Sequence, residues 1–419
     1  MSPRTSRRSA ARDGDTLPSR TRLVEFSASA DFDFQFPNAS AAARQQGRAG
    51  ERYLTNLNAF VQQVIVKHPE NFSVVGDSVQ IECLAPAAWR SFDFSEQRVL
   101  FLLPSHALGD NVPVVLFIQA LREKFHLREV GVFCTGPTHD IYLSHEAISA
   151  HPIWIGKKQL KRWHTVVDLG HLETHKDIDI WPIDMETELL TAFGLEPSTA
   201  HYGKPLPLPD GDLRIGILPL TSTPLRTLPV SVTKILIERL QEFGRVTLCL
   251  NRNQHQGVLY QRALGDIDSD IEMVDVFASI GDLITAISRF DYAVFADSGP
   301  AHLSKLFGTP GVAIYTSAPS DVLQGRFHNL TPWAVPYEGE FCRAPCGLAR
   351  VRATRSGTVG CMGSLKTTLD NLPNLPRQRQ PDVVKRLLLD DPVPCVAKLA
   401  DCAESLAKFI ASDIAARRP

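Results

Sequence analysis

The chain has no long hydrophobic run. No uninterrupted apolar stretch approaches the ~18–20 residues that cross a bilayer as a helix, so a transmembrane helix is not expected. Cysteine is scarce, at eight in 419 residues, too few for a disulfide scaffold. Cys83, Cys134 and Cys249 stand alone in apolar surroundings, and the chain reads as cytoplasmic. Charge of one sign is not in excess: 44 Lys+Arg oppose 46 Asp+Glu, a formal charge of -2. No basic stripe interleaved with aromatics occurs, which argues against nucleic acid as partner and for a small-molecule or protein substrate. The arginine-rich start, MSPRTSRRSAARDGDTLPSRTR, has no apolar segment behind it and so is no secretory signal. Its Asp13, Asp15 and two prolines also weigh against an organellar transit peptide. Residues 1–24 read as a disordered basic tail, with peripheral contact to anionic lipid at the inner membrane face as its one alternative use.

What is present is enough apolar material for two domains. The chain is 44% hydrophobic and 419 residues long, beyond the ~250–300 residues at which one core stops growing. Residues 25–95 form an accessory unit, with a helix expected over GERYLTNLNAFVQQVIVKH and short strands in FSVVGDSVQIECL. From Arg98 the rhythm becomes β-α-β: VLFLLP, a turn SHALGDN, the helical VPVVLFIQALREKF, then EVGVFC and later TVVDLG. Residues 96–205 therefore read as a Rossmann-like domain. After the proline-rich link HYGKPLPLPDGD, residues 212–375 repeat the pattern with RIGILPL, TSTPLRTLP, VSVTKILIERLQEF and VTLCLN. Then follow IGDLITAISRF and YAVFA. Residues 376–419 end in a helix. The fold class is α/β, with two parallel-sheet domains facing a central cleft, and ligands in such sheets bind beyond the carboxyl ends of the strands.

Three polar stretches lie at those ends. In YAVFADSGPAHLSKLF the strand stops at Ala296, and a helix can begin at Gly299-Pro300. Its free N–H groups and dipole suit an anion, with Gly299 permitting close approach and Ser298 and His302 within reach. Read alone, the motif is as well explained by a capping Asp or Ser and a packing histidine. In LPSHALGDN, Asp110 opens a helix in the other half; it is an N-terminal cap or a general base for an acceptor hydroxyl. In TSTPLRTLP, Thr221, Ser222 and Arg226 put two hydroxyls and a cation on a strand-to-helix loop, suited to clamping a diphosphate.

Together these stretches resemble the ADP-heptose:lipopolysaccharide heptosyltransferases, glycosyltransferase family 9, over about Arg98 to Val322. ADSGPAHLSKLFGTPGVAIYTSAPSD is similar to the family's D-[ST]-G-x-x-H block, LGDN to its N-terminal G-D motif, and TSTPLRTLP to its T-S-x-x-x-K-x-W-P loop. In that loop Arg226 stands for the usual lysine and Leu228 for the usual tryptophan. The resemblance implies the GT-B fold and inverting transfer of a sugar, a heptose, from an ADP-heptose-like nucleotide donor to a glycan, glycolipid or protein hydroxyl, with no cofactor required. It also implies Asp110 as catalytic base, and Thr221, Ser222, Arg226, Ser298, Gly299 and His302 on the donor diphosphate. Asp297 would contact the sugar. The alternatives are a nucleotide-sugar 2-epimerase, which carries D-S-G-G where this chain has Pro300 after Asp-Ser-Gly, and an inactive glycosyltransferase-like scaffold.

Two further clusters invite a metal reading. Cys342, Cys346 and Cys361, with the distant Cys395, could bind structural zinc or iron; packing thiols are the plainer explanation. Arg343, Arg350, Arg352 and Arg355 around them read as a solvated loop or a seat for an anionic acceptor. His164, His171 and His175 with Glu173 read as a surface loop lining the acceptor cleft rather than a metal site.

Overall fold

The computed structural model describes residues 19–36, 38–55, 60–103, 107–133, 138–148, 153–172, 184–198, 205–251, 255–265, 271–274, 278–339, 343–346 and 381–419. The accessory unit is an antiparallel sheet of β1 (Ser19–Ala28), β2 (Arg52–Thr55) and β3 (Phe72–Cys83). β1 lies between β3 and β2. Two expectations shift here. The first strand begins inside the stretch read as tail, because Thr21 to Leu23 pair with Ile81 to Val79. The helix expected from Gly50 onward starts instead as the strand Arg52–Thr55, and among the described residues of that stretch only Phe60 and Val61–Ile65 are helical. Phe26, Tyr53, Phe60 and Trp154 form the aromatic centre that takes these residues out of a helical register.

The N-terminal half has a parallel sheet of β4 (Arg98–Leu102), β5 (Glu129–Phe133) and β7 (Thr165–Asp168), in the order β5-β4-β7. Between them lie α1 (Leu108–Lys124), the short α2 (His139–Leu143) and β6 (Ile155–Gly156). β6 joins the edge of the accessory sheet against β2. The α3 helix (Met185–Phe193) follows, capped by Asp184, which accepts from Thr187 N.

The C-terminal half is a six-stranded sheet of β8 (Leu213–Leu218), β9 (Gly244–Cys249), β10 (Glu272–Val274), β11 (Tyr292–Ala296), β12 (Gly311–Tyr315) and β13 (Leu330–Ala334). All five strand pairs are parallel, and the order is β10-β9-β8-β11-β12-β13. Counted along this half, that is the doubly wound order 3-2-1-4-5-6. Its helices are α4 (Val230–Leu240), α5 (His255–Leu264), α6 (Ile280–Arg289), α7 (Gly299–Phe307) and α8 (Ser320–Gln324). Ser279 caps α6 by accepting from Asp282 N at 3.0 Å, and α7 stops at Gly308, whose φ of 65° is left-handed.

Two closing helices, α9 (Pro394–Asp401) and α10 (Ala403–Arg417), return to this half. Leu406, Ile410 and Ile414 of α10 join Leu236 and Ile237 of α4 in one cluster, each such burial contributing about 1.5–3 kcal/mol. Asp413 pins the helix by accepting from Tyr292 Oη at 2.8 Å and Thr331 Oγ1 at 2.6 Å.

Length alone suggests a separate core for each half. Instead the largest cluster runs from β4 and α1 (Phe101, Val115, Phe117) through to α7 and β11 (Leu303, Phe295). The halves meet where the first turns of α1 and α7 pack together, and there a glycine is needed at 299 and the fit is tight at 109. A Cβ on Gly299 would stand 2.6 Å from Leu108 Cβ, and one on Gly109 would stand 3.3 Å from His302 Cδ2.

Candidate active site

Strand order locates the crevice. The strand order reverses between β8 and β11, and at such a switch point the two strand-end loops part to leave a ligand site. The loop after β8 is TSTPLRTLP and the loop after β11 is DSGPAH, so two motifs distant in sequence occupy one place.

Arg226 joins them. Its Nη1 donates to Asp297 Oδ2 at 3.2 Å, with Asp297 buried and Arg226 mostly so. The Arg226 Nε is buried with no partner in the protein. A guanidinium with one edge fixed and another unsatisfied can still take an external anion. Asp297, expected to touch sugar hydroxyls, thus also anchors the cation.

The rest of the loop is held from within. Thr221 Oγ1 donates to Thr223 O at 2.5 Å and accepts from Thr223 N at 3.1 Å. Thr227 Oγ1 donates to Thr223 O at 3.1 Å and accepts from Gln256 Nε2 at 2.6 Å. Leu228, at the position of the resemblance's tryptophan, is fully buried, and Tyr260 Oη donates to its carbonyl at 2.9 Å. The hydroxyl of Thr221 is therefore engaged in shaping the loop, while Ser222 is exposed. Thr227, Gln256 and Tyr260 escaped the sequence reading, because nothing in a sequence shows that a side chain four, 29 or 32 residues away closes a turn.

At the start of α7, Ser298 is the N-cap residue, yet its hydroxyl does not cap. It donates to Ala296 O at 3.0 Å, which leaves the first-turn N–H groups without a side-chain oxygen and suits the helix end to an anion. His302 lies in that first turn with Nδ1 buried and unpartnered. Burial, and then the positive charges of Lys305 and Arg226, hold its pKa well below the ordinary histidine value. Without a ligand it is a neutral imidazole. Thr316 and Ser317, just past β12, are buried with unpartnered hydroxyls as well. Their signal in the sequence was their place directly after a buried parallel strand adjacent to Asp297.

Asp110 sits in the first turn of α1, partly exposed. Its neighbour Gly109 lies against the His302 ring, so the acid of one half and the first turn of α7 in the other meet at the seam. Behind them is a buried ionic group. Glu186 accepts from Arg326 Nη2 at 2.8 Å, and Lys305 donates to Leu323 O at 2.6 Å. Burial raises the Glu186 carboxyl, and lowers Lys305 to about 8.

The other expected clusters come together less. Cys342 and Cys361 lie outside the described residues, as do Glu173, His175, Arg350, Arg352 and Arg355. Cys346 is exposed, whereas Cys395 is buried with Ala344 and with Leu225 of the β8 loop. His164 Nδ1 accepts from Arg98 N at 3.3 Å, and His171 lies 3.8 Å from Asp168. Among the described residues no group of three or more metal-capable side chains gathers, and no helix is long and apolar enough to cross a membrane.

Residues 163–338 match the family model of glycosyltransferase family 9 (heptosyltransferase), a span that contains the β8 loop, the β11 loop and α7. No curated protein sequence matches the chain. Among solved structures, a family 9 glycosyl transferase from Veillonella parvula is similar at 13% identity and a TM-score of 0.46, over 58% of this chain and 87% of that one. ADP-heptose LPS heptosyltransferase II of E. coli has 13% identity and a TM-score of 0.44, over 58% and 91%. The iron-containing dodecameric glycosyltransferase TibC from enterotoxigenic E. coli has 11% identity and a TM-score of 0.41, over 92% and 93%. Residues 163–338 are thus similar to glycosyltransferase family 9, and the six-stranded parallel sheet that they contain has the doubly wound strand order.

Proposed function

We propose that the protein transfers a heptose from an ADP-heptose-like donor, with inversion, to a hydroxyl of a glycan, glycolipid or protein. The observation that carries this is the set of unsatisfied polar atoms at the switch point. Arg226 Nε and His302 Nδ1 are buried without partners beside a helix N-terminus, a donor set suited to a diphosphate. In the reaction the acceptor oxygen attacks the anomeric carbon, its proton passes to the Asp110 carboxylate, and the bond to the diphosphate breaks with its electron pair on the leaving phosphate oxygen. One displacement inverts the carbon. Charge growing on the diphosphate is stabilised by Arg226 and the first turn of α7, with Ser298, Gly299 and Ser222 lining the approach. Asp297 contacts the sugar while anchoring Arg226.

No cofactor is needed for transfer in this reading. A zinc or iron ion on Cys342, Cys346, Cys361 and Cys395 would be structural, tying the segment after β13 to the closing helices beside Leu225. Metal content of the purified chain, compared with a Cys395→Ser variant, tests it.

The deciding experiment is a thermal-shift panel of ADP, UDP, GDP and their sugars, followed by an assay that separates nucleotide release, sugar transfer and epimerisation. Stabilisation by ADP together with transfer supports the proposal. Epimerisation without transfer would point to a 2-epimerase, and binding without turnover to an inactive scaffold.

A further inference from the structure

The turn that carries Asp110 is built with a defect. Pro113 lies inside α1 and has no N–H, so the carbonyl of Gly109 lacks the helical bond it would otherwise receive. Ala107, the N-cap residue, supplies no side-chain cap either. The first turn of α1 therefore has a weaker ladder than an ordinary helix end.

Asn111 makes up the difference. Its Nδ2 donates to Ala107 O at 2.7 Å, and the same carbonyl accepts from Asp110 N at 3.2 Å and Asn111 N at 3.3 Å. Three donors on one carbonyl fix the backbone on both sides of Asp110. The amide of Asn111 is itself oriented, because Tyr142 Oη donates to its Oδ1, and both residues are buried.

Tyr142 in turn stands on a helix anchored from two directions. Asp140, two residues earlier on α2, accepts from Ser40 N at 2.8 Å and Ser40 Oγ at 2.5 Å in the accessory unit, and from Gly281 N at 2.9 Å at the start of α6. The accessory segment also touches α6 directly, where Ile280 N donates to Asn38 O at 3.0 Å.

We propose that Asn111 and Tyr142 are positioning residues for the Asp110 carboxylate, acting through the Ala107 carbonyl. Through Asp140, the accessory unit and the donor half together set the base. The inference rests on the reading of Asp110 as base. It gives residues 38–43 a role in catalysis without contact to substrate, as the outer fixing point of a chain of buried hydrogen bonds.

The test compares wild type with Tyr142→Phe, which keeps the ring and removes one hydroxyl, and with Asn111→Ser as a second variant should the first fold poorly. Amide exchange over residues 107–112 is measured together with ADP affinity and ADP release from ADP-heptose, with water as acceptor. Exchange in that turn should quicken and turnover should fall tenfold or more, with ADP affinity within twofold of wild type. Unchanged exchange overturns the proposal, as does turnover that falls only in step with ADP affinity, the mark of general damage. The two readings fail separately. If Asp110→Asn retains turnover while Tyr142→Phe loses it, Asp110 is not the base. If Asp110→Asn is inactive and Tyr142→Phe turns over normally, Tyr142 does not position it.

Discussion

Replacing Arg226 with alanine separates two roles that one side chain combines. Its Nη1 donates to Asp297, and its Nε is buried without a partner in the protein. Removing one partner of a fully buried pair destabilises by about 3–5 kcal/mol, because the other charge is left in a poor dielectric. Arg226 keeps 15% side-chain exposure, so that range is an upper bound here. Loss of a charge-assisted hydrogen bond to the diphosphate costs a further ~1.5–3 kcal/mol in binding, or roughly 10- to 100-fold in the dissociation constant of ADP. Denaturant unfolding measures the first quantity and calorimetric titration with ADP the second. The double variant Arg226→Ala/Asp297→Asn distinguishes the roles, since with no carboxylate to strand, stability should return in part while ADP affinity stays low. Wild-type ADP affinity in folded Arg226→Ala would refute the assignment. Recovery of affinity in the double variant would refute it differently, by showing that Arg226 acts only on Asp297.

Asp110→Asn should lower transfer by at least 10²-fold, at the lower end of what a positioned acid–base group contributes, with ADP affinity and thermal stability unchanged; substantial transfer removes Asp110 as base. His302 gives a pH signature in binding. Burial and the charges of Lys305 and Arg226 hold its pKa well below 6.5, and a diphosphate beside it raises that pKa, so ADP binding should take up a proton and tighten as pH falls. Calorimetry in buffers of different ionisation enthalpy should show that uptake in wild type, and a clear reduction in His302→Asn. Lys305 gives a signature in stability. Its pKa falls from 10.5 to about 8 on folding, so below pH 8 the protein carries the full penalty of a buried ammonium, and between pH 8 and 10.5 the unfolded chain binds the extra proton. Stability of wild type relative to Lys305→Met should therefore rise across that window, by roughly 3 kcal/mol. A pH-independent difference would mean that the lysine is not desolvated.

Strand and helix identities in both halves were legible because buried parallel strands read as continuous apolar runs. RIGIL, YAVFA and GVAIY each became a strand with nearly every residue buried. The accessory unit resisted the same reading. RYLT carries no helical or strand period of its own, and its pairing partners lie on either side of it in sequence, at Val24 to Ser27 and at Ile155 and Gly156. At the site, residue types at strand ends revealed the charged groups, Asp110, Arg226 and Asp297. What could not be read was the division of labour among them, because it depends on which bonds are already made. Ser298 looked like a cap and spends its hydroxyl on Ala296, whereas Asn111, not singled out within the turn SHALGDN, bonds the Ala107 carbonyl beside the acid. A motif lists the groups that a reaction needs; the hydrogen bonds decide which of those groups remain available to a substrate and which hold the others still.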